Sequence, residues 1–310
     1  MASYPPPMRY AVTGAAGFIG SHLGETLQAA GHEVVGFDSF TDFYDRELKE
    51  ENSRGLDVRH VDLGVDAVDF SGFDAVFHLA GQPGARSFGR VFPDYLWRNL
   101  LATQRVFEAC ADASIPVVWA SSSSVYGDAE TYPTPEDVTP RPNNPYGVTK
   151  LSCEHLHDTY ERLFGLRAVA LRYFTVYGPR QRPDMAFARM VAAAARDEEF
   201  ELYGDGSQSR SFTYVMDIVD ATIRALEAPP GIYNIGGGEE ATMSDALALL
   251  GEIADRPLRV RVGPAQTGDM RRTRADTSRI ESAIGWRATT PLREGLEAHW
   301  SWASARVGTP

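Results

Sequence analysis

A short apolar run, Tyr10-Ala11-Val12-Thr13, leads directly into Gly14-Ala15-Ala16-Gly17-Phe18-Ile19-Gly20, and a helical pattern over residues 21–30 then stops at Gly31. No other feature narrows the possible folds as much. The run suits a buried strand. A glycine turn between strand and helix lets the backbone approach a diphosphate, whose charge then sits at the helix N-terminus. A second apolar strand, 33–37, ends in Asp38. That acid lies about 20 residues beyond the glycines, where a carboxylate bonds a ribose 2′-hydroxyl and repels a 2′-phosphate. The expected dinucleotide is therefore NAD, not NADP.

Strand candidates at 58–61, 75–79, 117–120 and 168–173 alternate with helical patterns at 94–112 and 146–164. Such alternation predicts a parallel sheet covered by helices on both faces. After Tyr173 the rhythm changes. Helices are expected at 185–196, 217–227 and 242–253, a turn-rich hairpin at 202–210 and a returning strand at 232–235, with 291–303 closing the chain. Thr242 and Asp245 have the spacing of a capping box. With 310 residues the chain has room for roughly two domains. The expected fold is α/β: a Rossmann-type doubly wound parallel sheet with a smaller mixed α/β C-terminal substrate domain. Residues 1–175 and 213–238 are assigned to the first body, 176–212 and 239–310 to the second.

A second stretch carries chemistry. Ser121-Ser122-Ser123-Ser124 is followed by a proline-rich loop and then Tyr146-Gly147-Val148-Thr149-Lys150. On a helix, Tyr146 and Lys150 share one face. An ammonium ion beside a phenol favours the phenolate, lowering a pKa of about 10. A serine at the end of the preceding strand can complete a proton relay. A tyrosine and lysine at helical spacing are common on surfaces, so the pair gains its weight from the glycine turn upstream.

A net charge of −12 argues against non-specific binding to nucleic acid or anionic membranes. No apolar run approaches the ~20 residues needed to span a bilayer, and the proline-rich start does not read as a signal peptide. Two cysteines, Cys110 and Cys153, make no C-x-x-C pair and point to reduced thiols in the cytoplasm. The histidines are scattered, and no metal site is expected.

The G-x-x-G-x-x-G spacing, Asp38, the serine cluster and Tyr146/Lys150 together resemble the extended short-chain dehydrogenase/reductases. Within them, the chain is similar to the NAD-dependent nucleotide-sugar epimerases and dehydratases over nearly its whole length. The resemblance implies cofactor contacts from Gly14, Gly17, Phe18, Ile19 and Gly20, and from Asp38. Asp62-Leu63 matches the adenine-contacting pair. Leu79-Ala80-Gly81 matches a segment beside the diphosphate, with Gly81 replacing the usual second alanine. Asn99 matches an asparagine that supports the cofactor region. Arg172-Tyr173-Phe174 matches a segment passing under the nicotinamide. Arg210 and Arg271 match arginines that bind the sugar diphosphate. By the same resemblance, Ser122, Tyr146 and Lys150 are catalytic, and the relatives are commonly homodimers that pair the helices at 94–112 and 146–164.

Dehydratases of this kind carry an Asp-Glu pair where Ser123-Ser124 stand here, and decarboxylases usually carry a glutamate nearby. Oxidation and return of one stereocentre is the chemistry left. Residues 175–187 resemble those of enzymes acting on UDP-glucuronate at C4. Arg182 is the candidate partner for a uronate carboxylate, with Arg180 beside it and Ser123, Ser124 and Thr175 as hydroxyl donors. The expected substrate is thus a UDP-sugar, most simply UDP-glucuronate. UDP-glucose or UDP-N-acetylglucosamine epimerisation, UDP-glucuronate decarboxylation and a non-catalytic NAD sensor stand as alternatives.

Overall fold

The computed structural model describes residues 7–84, 89–264 and 272–307. The strand expected after the N-terminus is β1 (Arg9–Thr13), a member of a seven-stranded sheet. It pairs with β2 (Glu33–Asp38) on one side, which carries β3 (Asp57–His60) at the edge. On the other side lie β4 (Ala75–His78), β5 (Val117–Ser122), β6 (Ala168–Tyr173) and β10 (Gly231–Ile235). Every pairing is parallel, and the order is β3-β2-β1-β4-β5-β6-β10. Chain progression across the sheet reverses between β1 and β4. Sheets of this kind take ligands in the crevice beyond the strand carboxyl ends at that reversal.

Among the described residues, seven α-helical segments surround or adjoin this sheet, and three more serve the second body. In chain order they are α1 (Phe18–Ala29), α2 (Arg46–Asn52), α3 (Phe92–Tyr95), α4 (Ala102–Ala113), α5 (Pro145–Phe164), α6 (Ala186–Arg196), α7 (Val215–Arg224), α8 (Met243–Ile253), α9 (Ser278–Ile284) and α10 (Leu292–Val307). A widened π-turn, Leu96–Leu101, joins α3 to α4. Local signals set the ends. α5 starts at Asn144, whose side chain accepts the Gly147 N–H at 2.8 Å, with Pro145 next, and it stops at Gly165 in the left-handed region. The Thr242/Asp245 capping box forms as expected at α8.

Strand periodicity of two divides the core between the two faces of the sheet. Tyr10, Val12, Val169 and Leu171 face α1, α7 and the segment around α9; Ala11, Ala168, Ala170 and Trp119 face α4 and α5. All six residues of β6 are buried, as expected of a parallel strand covered on both sides.

The second body has its own core, with Phe187, Met190, Leu250 and Leu296 at its centre. Its strands depart from expectation at 202–210. That stretch is not a hairpin: β8 (Phe200–Tyr203) pairs with β12 (Val260–Gly263), whereas β9 (Ser209–Tyr214) pairs with β7 (Thr175–Tyr177), β11 (Glu240–Thr242) and β13 (Arg272–Thr273). The chain also returns to the first body once more than the expected division allows, since Ile280 and Trp286 are buried in the core beside Tyr233 and Ile235. Among the described residues, no helix is long and apolar enough to cross a membrane.

Candidate active site

The glycine turn is built by steric exclusion. Gly14 has φ +71°, and a Cβ there would lie 2.8 Å from the Ala80 nitrogen; a Cβ on Gly20 would lie 2.1 Å from the Gly14 carbonyl oxygen. Glycine is therefore required for the β1–α1 connection to pack against the end of β4. The α1 N-cap, Gly17, offers no capping side chain, so the N–H groups of the first turn face the cavity for an anion to take.

Asp38 stands at the end of β2. Its carboxylate accepts the Ala16 N–H at 3.1 Å and the Phe40 N–H at 2.8 Å. Burial pushes its pKa up, opposed by the Phe40 N–H, the Lys49 ammonium, the Ala16 N–H and His60. Lys49 is buried and donates to the Thr41 carbonyl and, at 2.9 Å, to the Thr41 hydroxyl. It thereby ties α2 to the loop that follows Asp38.

Beneath the turn, His78 meets the Thr13 hydroxyl at 2.7 Å and the Thr103 hydroxyl at 3.0 Å, and Thr13 Oγ1 accepts the Ala80 N–H at 3.2 Å. Burial, assisted by the Lys150 charge, lowers the His78 pKa to about 3. The imidazole is neutral at ordinary pH and acts as a structural bridge. Asn99 lies on the π-turn, buried behind the wall. It accepts the Gln82 N–H at 2.6 Å and donates to the Gln82 carbonyl at 3.1 Å and the Thr149 hydroxyl at 3.2 Å. It thus locks the segment after β4 to α5. A Cβ on Gly81 would come 3.0 Å from Asn99 Oδ1 and 3.5 Å from Lys150 Nζ, so glycine here eases the approach of backbone and ammonium.

Ser122, Tyr146 and Lys150 line the same cavity as Gly14, Gly17 and Asp38. Ser122 Oγ accepts the Ser124 N–H at 3.1 Å, which leaves its own hydrogen to donate. Lys150 is buried, donates to the Ala120 carbonyl at 2.8 Å, and holds its nitrogen 5.9 Å from the Tyr146 ring centroid. Phe18, Ile19, Gly20, Asp62, Leu63, Leu79, Ala80 and Tyr173 also line it. The Tyr173 hydroxyl bonds Thr222 at 2.7 Å, so its ring edge, not its phenol, serves the cavity.

The sugar side is less complete. Arg182 lines the cavity, but its fork is on Asp184, Nε to Oδ1 and Nη2 to Oδ2 both at 3.0 Å. Arg180 departs from the expectation. It has φ +63° and pairs with Glu25 of α1 at 2.9 Å, which turns it away from the cavity wall. Ser123, Ser124, Thr175 and Arg210 are half-buried and are not in that wall. Arg271 lies outside the described residues. Several wall residues carried no signal in the sequence: Thr41, Phe43, Tyr44, Lys49 and Arg98. Lys49 sits in a run of charged residues with no apolar stripe to mark it. Arg98, bonded to Gln82 Oε1 at 2.7 Å, could have been found only by its place beside Asn99. Among the described residues, no three His, Cys, Asp or Glu side chains gather as a metal ion would need.

The sequence pattern of the NAD dependent epimerase/dehydratase family matches residues 10–236. The chain belongs to that family. The fit of its cofactor is visible in the glycine turn, the uncapped α1 N-terminus and the carboxylate of Asp38. An uncharacterised UDP-glucose epimerase of Bacillus subtilis, YtcB, is 39% identical, with 96% of this chain and 98% of that protein aligned. The UDP-glucuronic acid 4-epimerase of Bacillus cereus, solved with UDP-glucuronic acid and NAD, superimposes with a TM-score of 0.91 at 38% identity, covering 96% of this chain and all of the other. A UDP-glucuronate 4-epimerase of Thermodesulfobacterium geofontis is 32% identical, over 96% of this chain and 97% of its own length.

Proposed function

We propose that this chain is an NAD-dependent UDP-sugar 4-epimerase whose substrate is UDP-glucuronate and whose product is UDP-galacturonate. The observation that carries this reading is the convergence of Ser122, Tyr146 and Lys150 in the wall of the cavity that opens at the glycine turn. Tyr146 takes the proton of the C4 hydroxyl, and Ser122 donates a hydrogen bond to the same oxygen. One Lys150 N–H is committed to Ala120, and from the cavity wall the ammonium can also serve the nicotinamide ribose. The chemistry supplied by bound NAD is reversible hydride acceptance at C4. The 4-keto sugar turns in the pocket, and Tyr146 returns the proton once the hydride has been restored to the other face. The glycine turn and Asp38 hold the dinucleotide, with Asp62 and Leu63 at the adenine end.

The relatives named for UDP-glucuronate support the acidic substrate, and so does Arg182. Its pair with Asp184 is 23% and 41% exposed, so water can take over Asp184 while a uronate carboxylate takes its place on the fork. There is a reason to grip that group. The 4-keto intermediate is a β-keto acid, and holding its carboxylate out of line with the carbonyl π system prevents loss of carbon dioxide. One observation favours UDP-glucose as a second reading: the Arg182 fork is already occupied by the chain's own carboxylate. Incubation of the purified protein with each UDP-sugar, with the sugar stereochemistry read by NMR, decides between them. Inversion of UDP-glucuronate at C4 is expected; turnover of UDP-glucose alone would reverse the assignment.

The same reading includes a homodimer through α4 and α5, on whose side Leu96, Trp97, Val148, Leu163 and Phe164 are exposed. It also includes a cytoplasmic site of action, in keeping with two buried free cysteines, Cys110 and Cys153.

A further inference from the structure

Tyr146 and Lys150 have a third companion on their helix face. Glu154 follows Lys150 by the same four residues, and it is 2% exposed. Its Oε1 accepts the Ser121 hydroxyl at 2.6 Å and Arg172 Nε at 2.9 Å; its Oε2 accepts Arg172 Nη2 at 2.7 Å. Arg172 is equally buried and donates through Nη1 to the Tyr126 hydroxyl at 2.7 Å and the Glu136 carbonyl at 3.3 Å. Tyr126 in turn donates to Asn234 Oδ1 of β10 at 2.7 Å.

The placement of these groups is specific. Ser121 and Arg172 face each other in the β5–β6 register, and the next pair along is Ser122 and Tyr173. Glu154 therefore grips β6 one residue before it enters the cavity wall, and β5 within that wall, next to Ser122, from the helix that carries Tyr146. The ion pair is not an economical way to fill space. Both charges must be desolvated, and well-packed apolar side chains in such places are often as stable or more so. What apolar packing lacks is direction. It would leave α5 free to slide along the sheet by fractions of an ångström, whereas three short bonds to one carboxylate do not.

We propose that Glu154, gripped by Arg172 and Ser121, is a positioning residue for the Tyr146 base. It fixes the seating of α5 against the ends of β5 and β6, and so the separation of Tyr146 from Ser122 across the sugar oxygen. This rests on the assignment of Tyr146 and Ser122 made above. Displacements of about 1 Å at a reacting centre cost on the order of 100-fold in rate, so the effect falls on kcat and spares KM.

The test uses the full-length protein with NAD. Glu154→Gln and Arg172→Met each leave a partner unmatched, and Tm falls. The double variant Glu154→Gln/Arg172→Met removes both charges. Its Tm and NAD binding are expected to return toward those of the unaltered protein, with kcat still about 10- to 100-fold down at unchanged KM. A double variant with kcat within twofold of the unaltered protein would overturn the proposal. If that variant does not fold, Ser121→Ala decides, because it keeps the ion pair and removes a wall hydroxyl that is turned onto Glu154, the tether to β5. Its kcat is expected to drop severalfold at unchanged Tm and KM, and full kcat would overturn the proposal equally. Tyr146→Phe is run alongside. A fully active Tyr146→Phe removes the catalytic assignment and this inference with it. An inactive Tyr146→Phe together with a fully active double variant removes this inference alone.

Discussion

The cofactor side and the sugar side of the cavity are made differently. On the cofactor side the working groups belong to the backbone or are pinned by it. The turn at Gly14–Gly20 has no room for a Cβ, Asp38 is held by two N–H groups, and His78 is bonded at both nitrogens. On the sugar side the cation in the wall is a long side chain matched to the chain's own carboxylate, Arg182 to Asp184. The first arrangement is preset for one ligand class. The second is half-exposed and can exchange partners.

The comparison breaks most easily at the turn. Gly20→Ala puts a Cβ 2.1 Å from the Gly14 oxygen. Overpacking of that kind costs about 1–3 kcal/mol, and here the displaced backbone belongs to the turn proposed to hold the dinucleotide. NAD affinity by calorimetry should fall about 100-fold; an unchanged affinity would show that the turn is not a fixed mould. Arg182→Ala comes next. Loss of a charge-assisted bond of about 1.5–3 kcal/mol should lower kcat/KM for UDP-glucuronate by roughly 10- to 100-fold and leave UDP-glucose nearly untouched. Equal loss on both sugars would make Arg182 a nucleotide contact.

A third comparison sets two buried histidines against each other. Burial holds both His78 and His299 at a pKa of about 3, below the unfolded value near 6.5. As pH falls below about 6.5 the unfolded chain takes up protons first. The stability present above that value is therefore lost progressively toward pH 3, at up to about 1.4 kcal/mol per pH unit for each histidine. Neither ring nitrogen of His299 finds a partner among the described residues. His299→Leu should therefore flatten the acid-denaturation curve at little cost at pH 7. His78→Leu strands two threonine hydroxyls and should destabilise the fold and weaken NAD binding. Thermal melts from pH 4 to 7 distinguish them.

The same contrast governs what could be read from residue order. Gly14, Gly17, Gly20 and Asp38 obey rules that act within one strand–turn–helix unit, and Tyr146 and Lys150 obey helix spacing, so their places were legible. The 202–210 stretch was misread because the partners of β8 and β9 are β12, β11 and β13, segments far along the chain whose pairing no local turn encodes. Residue order favours Arg182 as the carboxylate partner but places Arg180 beside it. A left-handed backbone at Arg180 sends one to α1 and leaves the other at the cavity. α2 went unseen because only Lys49 and Asn52 are buried in it, too few to mark an apolar stripe. Glu154 was available at the spacing of Lys150, but its meaning depends on Arg172, which only the sheet register brings near.

The central claim is that C4 is oxidised and then reduced by the same hydride while Tyr146 handles only the proton. UDP-glucuronate labelled with deuterium at C4 tests this most directly. Incubated with the protein and NAD, it should yield UDP-galacturonate that keeps the deuterium at C4. Loss of the label to water during epimerisation would contradict the account.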